Sequence, residues 1–314
     1  MATYRVVADG PLAPSIVEMM GNNVTLLPWE LTETGSSQPV DAIYTYGHPI
    51  LDGQKMDRLP GVKVISNYGV GVDHIRVADA ADRGIPVGNT PNVLNGATAD
   101  MALTLMLATG RRLIEGDHFA RSPEFTYYDP GYMLGVEIHS QTIGIVGMGR
   151  IGQQIAKRAG GFDMRVIYHN RRRREEIESE LSAQYVSFDE LLDQSDYLVL
   201  SCPLTEETHH LIAEEQFAKM KSTAILINVA RGPVVDTDAL TTALSNQTIY
   251  AAGLDVTDPE PLPRDHPLLK LNNVTIAPHL GSATQQTRHQ MAEISIANLF
   301  AGLSGEPLLH TVNP

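Results

Sequence analysis

The chain has 314 residues, 43% of them hydrophobic and 19% charged, the make-up of an ordinary globular protein long enough for about two domains of roughly 100–200 residues each. Its formal charge of −14 argues against nucleic acid or an anionic membrane as the main partner, because neither is drawn to a strongly acidic surface. A single cysteine, Cys202, excludes a disulfide framework and a Cys-rich metal site, so no metal is expected and Cys202 reads as a small buried apolar residue.

The chain moves directly into a strand-like Tyr4–Ala8, with no charged leader or long apolar run ahead of it, and this points away from a signal peptide. The longest apolar-leaning stretch, Met101–Ala108, is far too short to span a bilayer, so a cytoplasmic protein is expected. Strand-like Tyr4–Ala8, Ala42–Tyr46, Val62–Ser66 and Ile85–Gly88 alternate with helices or turns at Pro14–Met20, Gln54–Leu59 and His74–Ala81. Such alternation implies an α/β protein with a parallel sheet and helices on both faces. The loop Ser66–Asp73 follows one of these strands, at the carboxyl edge where open α/β sheets bind ligands, and Gly69 and Gly71 let its backbone N–H groups approach an anion; a flexible connection is the alternative reading. Asn95–Arg112, rich in Ala, Leu and Met, reads as one long buried helix that crosses between domains. Gly116–Gly135 contains Pro123, Pro130, Gly131 and the aromatics Phe125, Tyr127, Tyr128 and Tyr132, and reads as irregular: a solvent-facing loop or a contact to another subunit.

Thr142–Gly152 reads T-I-G-I-V-G-M-G-R-I-G. A short β-branched run ends in Gly147-x-Gly149-x-x-Gly152, and a helix-compatible stretch follows. In a dinucleotide-binding unit the first glycine allows the turn, the second lets the backbone approach a pyrophosphate, and the third lets helix and strand pack closely. Gly147, Gly149, Arg150, Ile151 and Gly152 are therefore candidate phosphate contacts, their N–H groups lying at a helix N-terminus. A second alternating series continues through strands Met164–Tyr168, Val199–Ser201, Ala224–Val229 and Tyr250–Leu254, with helices near Phe188–Gln194, Ala213–Lys219 and Asp236–Leu244, as a doubly wound nucleotide domain needs. The last helix, about Ser282–Leu303, is long enough to return to the first domain.

Cofactor choice is readable after Tyr168. NAD-binding units commonly carry Asp or Glu some 20 residues beyond the glycines, to hold the ribose 2′-OH. Here the position holds His169-Asn170-Arg171-Arg172-Arg173-Arg174. A carboxylate is absent and guanidinium groups are present, which suits a 2′-phosphate. Asn170, Arg171 and Arg172 are candidate contacts, NADPH is expected, NADH is the alternative, and a solvated basic start to a helix is the bland reading.

Three further strand ends carry polar residues: Asn228-Val229-Ala230-Arg231-Gly232, Asp255–Pro261 and Ala277–Ser282. Singly, Arg231 reads as a structural ion pair, Glu260 as a solvated loop residue and His279 as a capped histidine. Together they are complementary. Arg grips a carboxylate bidentately, His moves a proton near neutral pH, and Glu holds the imidazole. Reduction of a 2-oxo acid beside a nicotinamide needs all of them.

The strings GIVGMGRIG, INVARGPVVD, AAGLDVTDPEPLP and APHLGSAT, in that order and spacing, resemble the D-specific 2-hydroxyacid dehydrogenase family, and within it the glyoxylate/hydroxypyruvate reductases. The resemblance covers nearly the whole chain. It implies two doubly wound parallel-sheet domains: a flavodoxin-like substrate domain from residues 1–98 plus 283–314, and a Rossmann nucleotide domain, 99–282, inserted between them, usually in a homodimer. It also implies that Arg231 binds the substrate carboxylate, that Glu260 pairs with His279, and that His279 protonates the ketone oxygen. Val70 and Gly71 would offer backbone N–H groups to the carboxylate, and Thr98, Pro203, Ala230 and Asp255 match positions lining the cofactor. Tyr132 falls where these reductases often place a bulky Trp reaching into a partner's site. The implied activity is NADPH-dependent reduction of glyoxylate or hydroxypyruvate to the D-2-hydroxy acid. The alternatives are a reductase of another 2-oxo or imino acid, a phosphite or phosphoglycerate dehydrogenase, and a nucleotide-sensing corepressor-like scaffold.

Overall fold

The structure, a computed structural model, describes residues 3–47 and 49–314. The chain divides into two compact units, one formed by Met1–Leu94 with Thr284–Pro314 and the other by Asn95–Ala283. The first contains β1 (Tyr4–Ala8), β2 (Val24–Leu27), β3 (Ala42–Thr45), β4 (Val64–Asn67) and β5 (Val87–Gly88). The second contains β6 (Thr142–Val146), β7 (Arg165–His169), β8 (Ala183–Tyr185), β9 (Tyr197–Leu200), β10 (Ile225–Asn228), β11 (Ala251–Leu254) and β12 (Val274–Ile276). The chain then returns to the first unit, where β13 (Thr311–Val312) closes the sheet edge.

The strand orders are β2-β1-β3-β4-β5-β13 and β8-β7-β6-β9-β10-β11-β12. All pairings are parallel among the described residues except β13 with β5. The first order is that of a flavodoxin-like sheet, the second that of the dinucleotide-binding fold with one strand added, and in each the order reverses beside the first strand. Alternate side chains feed opposite faces, as the pleat requires. In β9, Tyr197 and Val199 join one core with Ile143 and Ile145 of β6, while Leu198 and Leu200 join the other with Leu226 of β10. In the first unit Val6, Ala42, Tyr44 and Val64 face the helix Gln285–Ser304, and Val7, Ile43 and Ile65 face the other way.

Several expected boundaries move. The long helix spans Asn95–Gly110 and not Asn95–Arg112, because Arg112 takes a left-handed backbone (φ 50°) that no α-helix continues through. A second helix, Leu113–Ala120, then occupies the start of the stretch expected to be irregular. The last helix starts at Gln285, capped by the Thr284 hydroxyl, which accepts from Thr287 N–H at 3.1 Å. Three strands, β2, β8 and β13, are not expected from the sequence; β12 is the strand expected ahead of Ala277, and the helix Glu175–Leu181 is the one that the alternative reading of the basic run placed there. Among the described residues no helix is long and apolar enough to cross a membrane.

Candidate active site

Asn228, 1% exposed at the end of β10, brackets the turn after it: its Oδ1 accepts from Ala230 N–H at 3.0 Å and its Nδ2 donates to the Arg231 carbonyl at 2.9 Å. Buried Ala230 and half-buried Arg231 are thereby fixed at the carboxyl edge of the sheet. Gly232 follows, and a Cβ there would overlap the Thr257 carbonyl oxygen. Only glycine lets the Arg231 turn lie against the loop leading to Glu260. That loop is held in turn by the Thr237 hydroxyl, which donates to the Asp258 carbonyl at 2.8 Å.

Asp255, just past β11 and 2% exposed, organises the third loop. Its carboxylate accepts from Leu280 N–H at 2.7 Å and Gly281 N–H at 2.8 Å, and its carbonyl accepts from His279 N–H at 2.9 Å. Burial pushes the Asp255 carboxyl above its ordinary range, with the two backbone donors opposing. Pinned on both sides, His279 adopts φ 54°, in the left-handed region that non-glycine residues seldom occupy. Its Nδ1 lies 2.8 Å from Glu260 Oε1. A carboxylate only accepts, so Nδ1–H donates to it, and proton transfer falls to Nε2. At Gly281 a Cβ would come 2.8 Å from Asp255 Oδ2 and 3.5 Å from Thr98 Cγ2, which places Thr98, buried on the helix Asn95–Gly110, beside this loop.

The glycine turn after β6 behaves as its spacing requires. Gly147 has φ 97°, and a Cβ there would approach the Cys202 backbone nitrogen to 2.7 Å; one on Gly152 would overlap the Gly147 carbonyl. Gly149 differs, since no atom lies within 4 Å of where its Cβ would stand. It caps the helix Arg150–Ala159 with no side chain on the helix terminus, so the N–H groups of Arg150, Ile151 and Gly152 have no intrahelical partner. An open face over Gly149, beside unpartnered backbone donors at a helix N-terminus, fits a pyrophosphate. Cys202 is buried, which pushes its thiol up to about 11 and makes it unreactive.

After β7 the basic run divides. Asn170 Oδ1 accepts from Met148 N–H at 2.7 Å, so this side chain clips the glycine turn to the end of β7. Arg173 forks onto Glu178 at 2.8 and 2.7 Å, and Arg174 pairs with Glu176. Arg171 and Arg172 are exposed and form no ion pair among the described residues. Pro203, in the loop after β9, is exposed, and its carbonyl accepts from the Thr208 hydroxyl at 2.7 Å. Tyr132, 51% exposed, packs on Phe119 with ring centroids 4.8 Å apart.

Val70 and Gly71 belong to the other unit, in the loop after β4. Asn67, 1% exposed, donates to the Gly69 carbonyl at 3.0 Å and the Gly71 carbonyl at 2.9 Å, and accepts from the Thr45 hydroxyl at 2.8 Å. Asn89 Nδ2 donates to the Val70 carbonyl at 2.9 Å. With its carbonyls tied inward, this loop is a rigid element. Asn228 and Asn67 stand in stretches that the sequence singles out, but their bracketing role is not read there; the one sign of it is an asparagine ending an apolar strand just before a turn. Among the described residues no group of three His, Cys, Asp or Glu side chains is placed to hold a metal ion.

Residues 103–281 match the family described as D-isomer specific 2-hydroxyacid dehydrogenase, NAD binding domain. The chain belongs to this family. Members most similar to it include a glyoxylate reductase of Thermococcus onnurineus, 49% identical over 271 residues that make up 85% of this chain and 81% of the relative. Among solved structures, a protein of Thermus thermophilus is 42% identical with a TM-score of 0.89, covering 98% of this chain and 100% of that one. An NADPH-dependent glyoxylate/hydroxypyruvate reductase of Sinorhizobium meliloti, in complex with NADP and malonate, is 32% identical with a TM-score of 0.90, covering 99% of this chain and 97% of that one. This D-2-hydroxyacid dehydrogenase is therefore a nicotinamide-dependent oxidoreductase, and Arg231, Glu260, His279 and the glycine turn lie in its dinucleotide-binding unit.

Proposed function

We propose that the enzyme reduces glyoxylate or hydroxypyruvate to the corresponding D-2-hydroxy acid with NADPH. The observation that carries the reading is the 2.8 Å pair between His279 Nδ1 and Glu260 Oε1, on the loops of the sheet edge that also presents Arg231 and the glycine cradle. The Arg231 guanidinium forks onto the substrate carboxylate, and its fixed backbone orients the keto group. His279 Nε2 delivers a proton to the keto oxygen while Glu260 holds the ring from the opposite nitrogen. A bound reduced nicotinamide supplies hydride to the keto carbon. In the other unit, the rigid Val70–Gly71 loop offers backbone N–H groups of the kind a carboxylate takes.

For the cofactor, the phosphates rest on the Gly149–Gly152 N–H groups, and Thr98, Pro203, Ala230 and Asp255 line the nicotinamide half. The NADPH preference is supported by two exposed guanidinium groups, Arg171 and Arg172, and by Asn170 where a ribose-binding carboxylate would stand. We also assign a homodimer, with the exposed aromatics around Tyr132 as its contact.

Consumption of NADPH, followed by absorbance over glyoxylate, hydroxypyruvate, pyruvate, phenylpyruvate and phosphohydroxypyruvate, tests the reading. The first two should have the highest kcat/KM; no turnover of any of the five overturns it. His279→Asn should lower kcat by about 10²–10⁴-fold, the usual worth of positioned acid catalysis, and a loss below about tenfold refutes the role given to His279.

A further inference from the structure

The turn 170–174 is anchored at both ends and left open in the middle. At its start Asn170 accepts from Met148 N–H, and its carbonyl accepts from the Tyr185 hydroxyl at 3.3 Å. At its end a fully buried tyrosine takes over: Arg174 N–H donates to Tyr168 Oη at 2.8 Å, and the same hydroxyl donates to Glu178 Oε1 at 2.8 Å. Glu178 also receives the Arg173 fork. One tyrosine in the sheet thus fastens the turn's last backbone N–H, and one carboxylate fastens Arg173. The two remaining residues, Arg171 and Arg172, crest the turn. Arg171 contributes to holding the Glu207 carboxyl below its ordinary range, after the Thr205 hydroxyl and Glu207's own backbone, so its charge is felt in the loop that begins at Pro203.

We propose that Tyr168, Glu178 and Arg173 form the positioning scaffold for cofactor specificity: they hold the turn so that Arg171 and Arg172 meet a 2′-phosphate without competing for one another's carboxylates. Glu178 neutralises the one arginine that would otherwise crowd the crest, and the Tyr168 hydroxyl sets the crest's height above the sheet. None of the three needs to touch the cofactor. The assignment rests on the NADPH reading above, and it makes the specificity a property of a buried hydroxyl and a helix carboxylate as well as of two surface arginines.

The test separates the two by using fragments of the cofactor in place of turnover. Calorimetric titration of the wild type with adenosine 2′,5′-bisphosphate and with adenosine 5′-monophosphate should show tighter binding of the bisphosphate. In Tyr168→Phe and in Arg173→Gln the bisphosphate should weaken about tenfold, the loss of roughly one well-aligned charged hydrogen bond, while the monophosphate is unchanged. Arg173 is exposed, so its variant tests the scaffold even if Tyr168→Phe loosens the core. In steady state the same variants should raise KM for NADPH and leave KM for NADH and both kcat values in place. A wild type that binds the two fragments equally overturns the NADPH reading and the scaffold with it. A wild type that discriminates while both variants keep the full preference, or lose both ligands equally, overturns the scaffold alone.

Discussion

His279 and Gly232 show how much of the site is decided by single backbone positions. The residue types Arg231, Glu260 and His279 are legible in the sequence because each lies in a loop that follows an apolar strand, at the edge where a parallel sheet presents its ligands. Their pairing is expected from the family resemblance and not from spacing, since Glu260 and His279 are separated by 19 positions and are brought together with the help of Asp255, whose carboxylate holds the backbone on the far side of His279. Family resemblance places Asp255 against the cofactor; the structure adds this load on its carboxylate. Gly232→Ala would drive a methyl into the Thr257 carbonyl and part the Arg231 and Glu260 loops. Overpacking of this kind costs typically about 1–3 kcal/mol, so urea unfolding of the variant should shift by that amount, with KM for the 2-oxo acid rising. An unchanged midpoint and KM would show that the two loops need no such contact.

At the scale of elements, the central strands are legible and most of the edges are not. β6 and β10 are rich in branched apolar residues and buried on both faces almost throughout, as parallel strands demand, and β1 is buried from Val6 to Ala8. β2, β8, β12 and β13 have two to four residues each, and Ala183 alone among them is buried; the pairing of β2, β8 and β13 comes from a neighbouring strand and not from their own pattern. The helix Glu175–Leu181 is expected only as the alternative to a phosphate contact, because Arg173 and Arg174 read as one block with Arg171 and Arg172 until their carboxylate partners on that helix are seen.

Glu178 on this helix is also pH-sensitive. The Arg173 guanidinium beside it holds its carboxyl at about 2, below the ordinary 4.5. Its contribution is therefore complete above pH 4.5 and is lost as pH falls through about 2. Urea unfolding of the wild type and of Glu178→Gln should show a gap that is widest near neutral pH and narrows steadily in acid; a constant gap would mean that the ion pair does not contribute to stability. On the helix Gln285–Ser304, a Cβ at Gly302 would overlap the Val64 side chain of β4. Gly302→Ala should lower the melting temperature by several degrees, and Gly305→Ala at the C-cap (φ 76°) by less, because there the strain is local and the space open. Equal effects would put the conformational freedom of glycine ahead of helix-to-strand packing.

For the whole molecule, the charge of −14 keeps copies apart in general, so a stable dimer needs an apolar contact. Phe125, Tyr127, Tyr128, Tyr132 and Leu134 are each about half exposed or more within one short stretch, more than isolated surface residues would explain. Light scattering should give twice the 34.2 kDa of the chain, and Tyr127→Ser with Tyr128→Ser should shift the mass toward one copy. A wild type of single-chain mass would refute the dimer.

The discontinuous first unit has a consequence for synthesis. Strands β1 to β5 leave the ribosome first, yet the helix that covers Val6, Tyr44 and Val64, and the strand that pairs with β5, arrive only after residue 284. Asn95–Ala283 is continuous and holds all its own strands. Domains generally fold as units while the chain emerges, so the later-made unit is the first that can finish, and the earlier one waits with one face of its sheet bare. The nascent chain is most exposed to chaperones and to aggregation in the interval between Leu94 and Thr284, while the nucleotide fold is being made and the returning helix has yet to emerge.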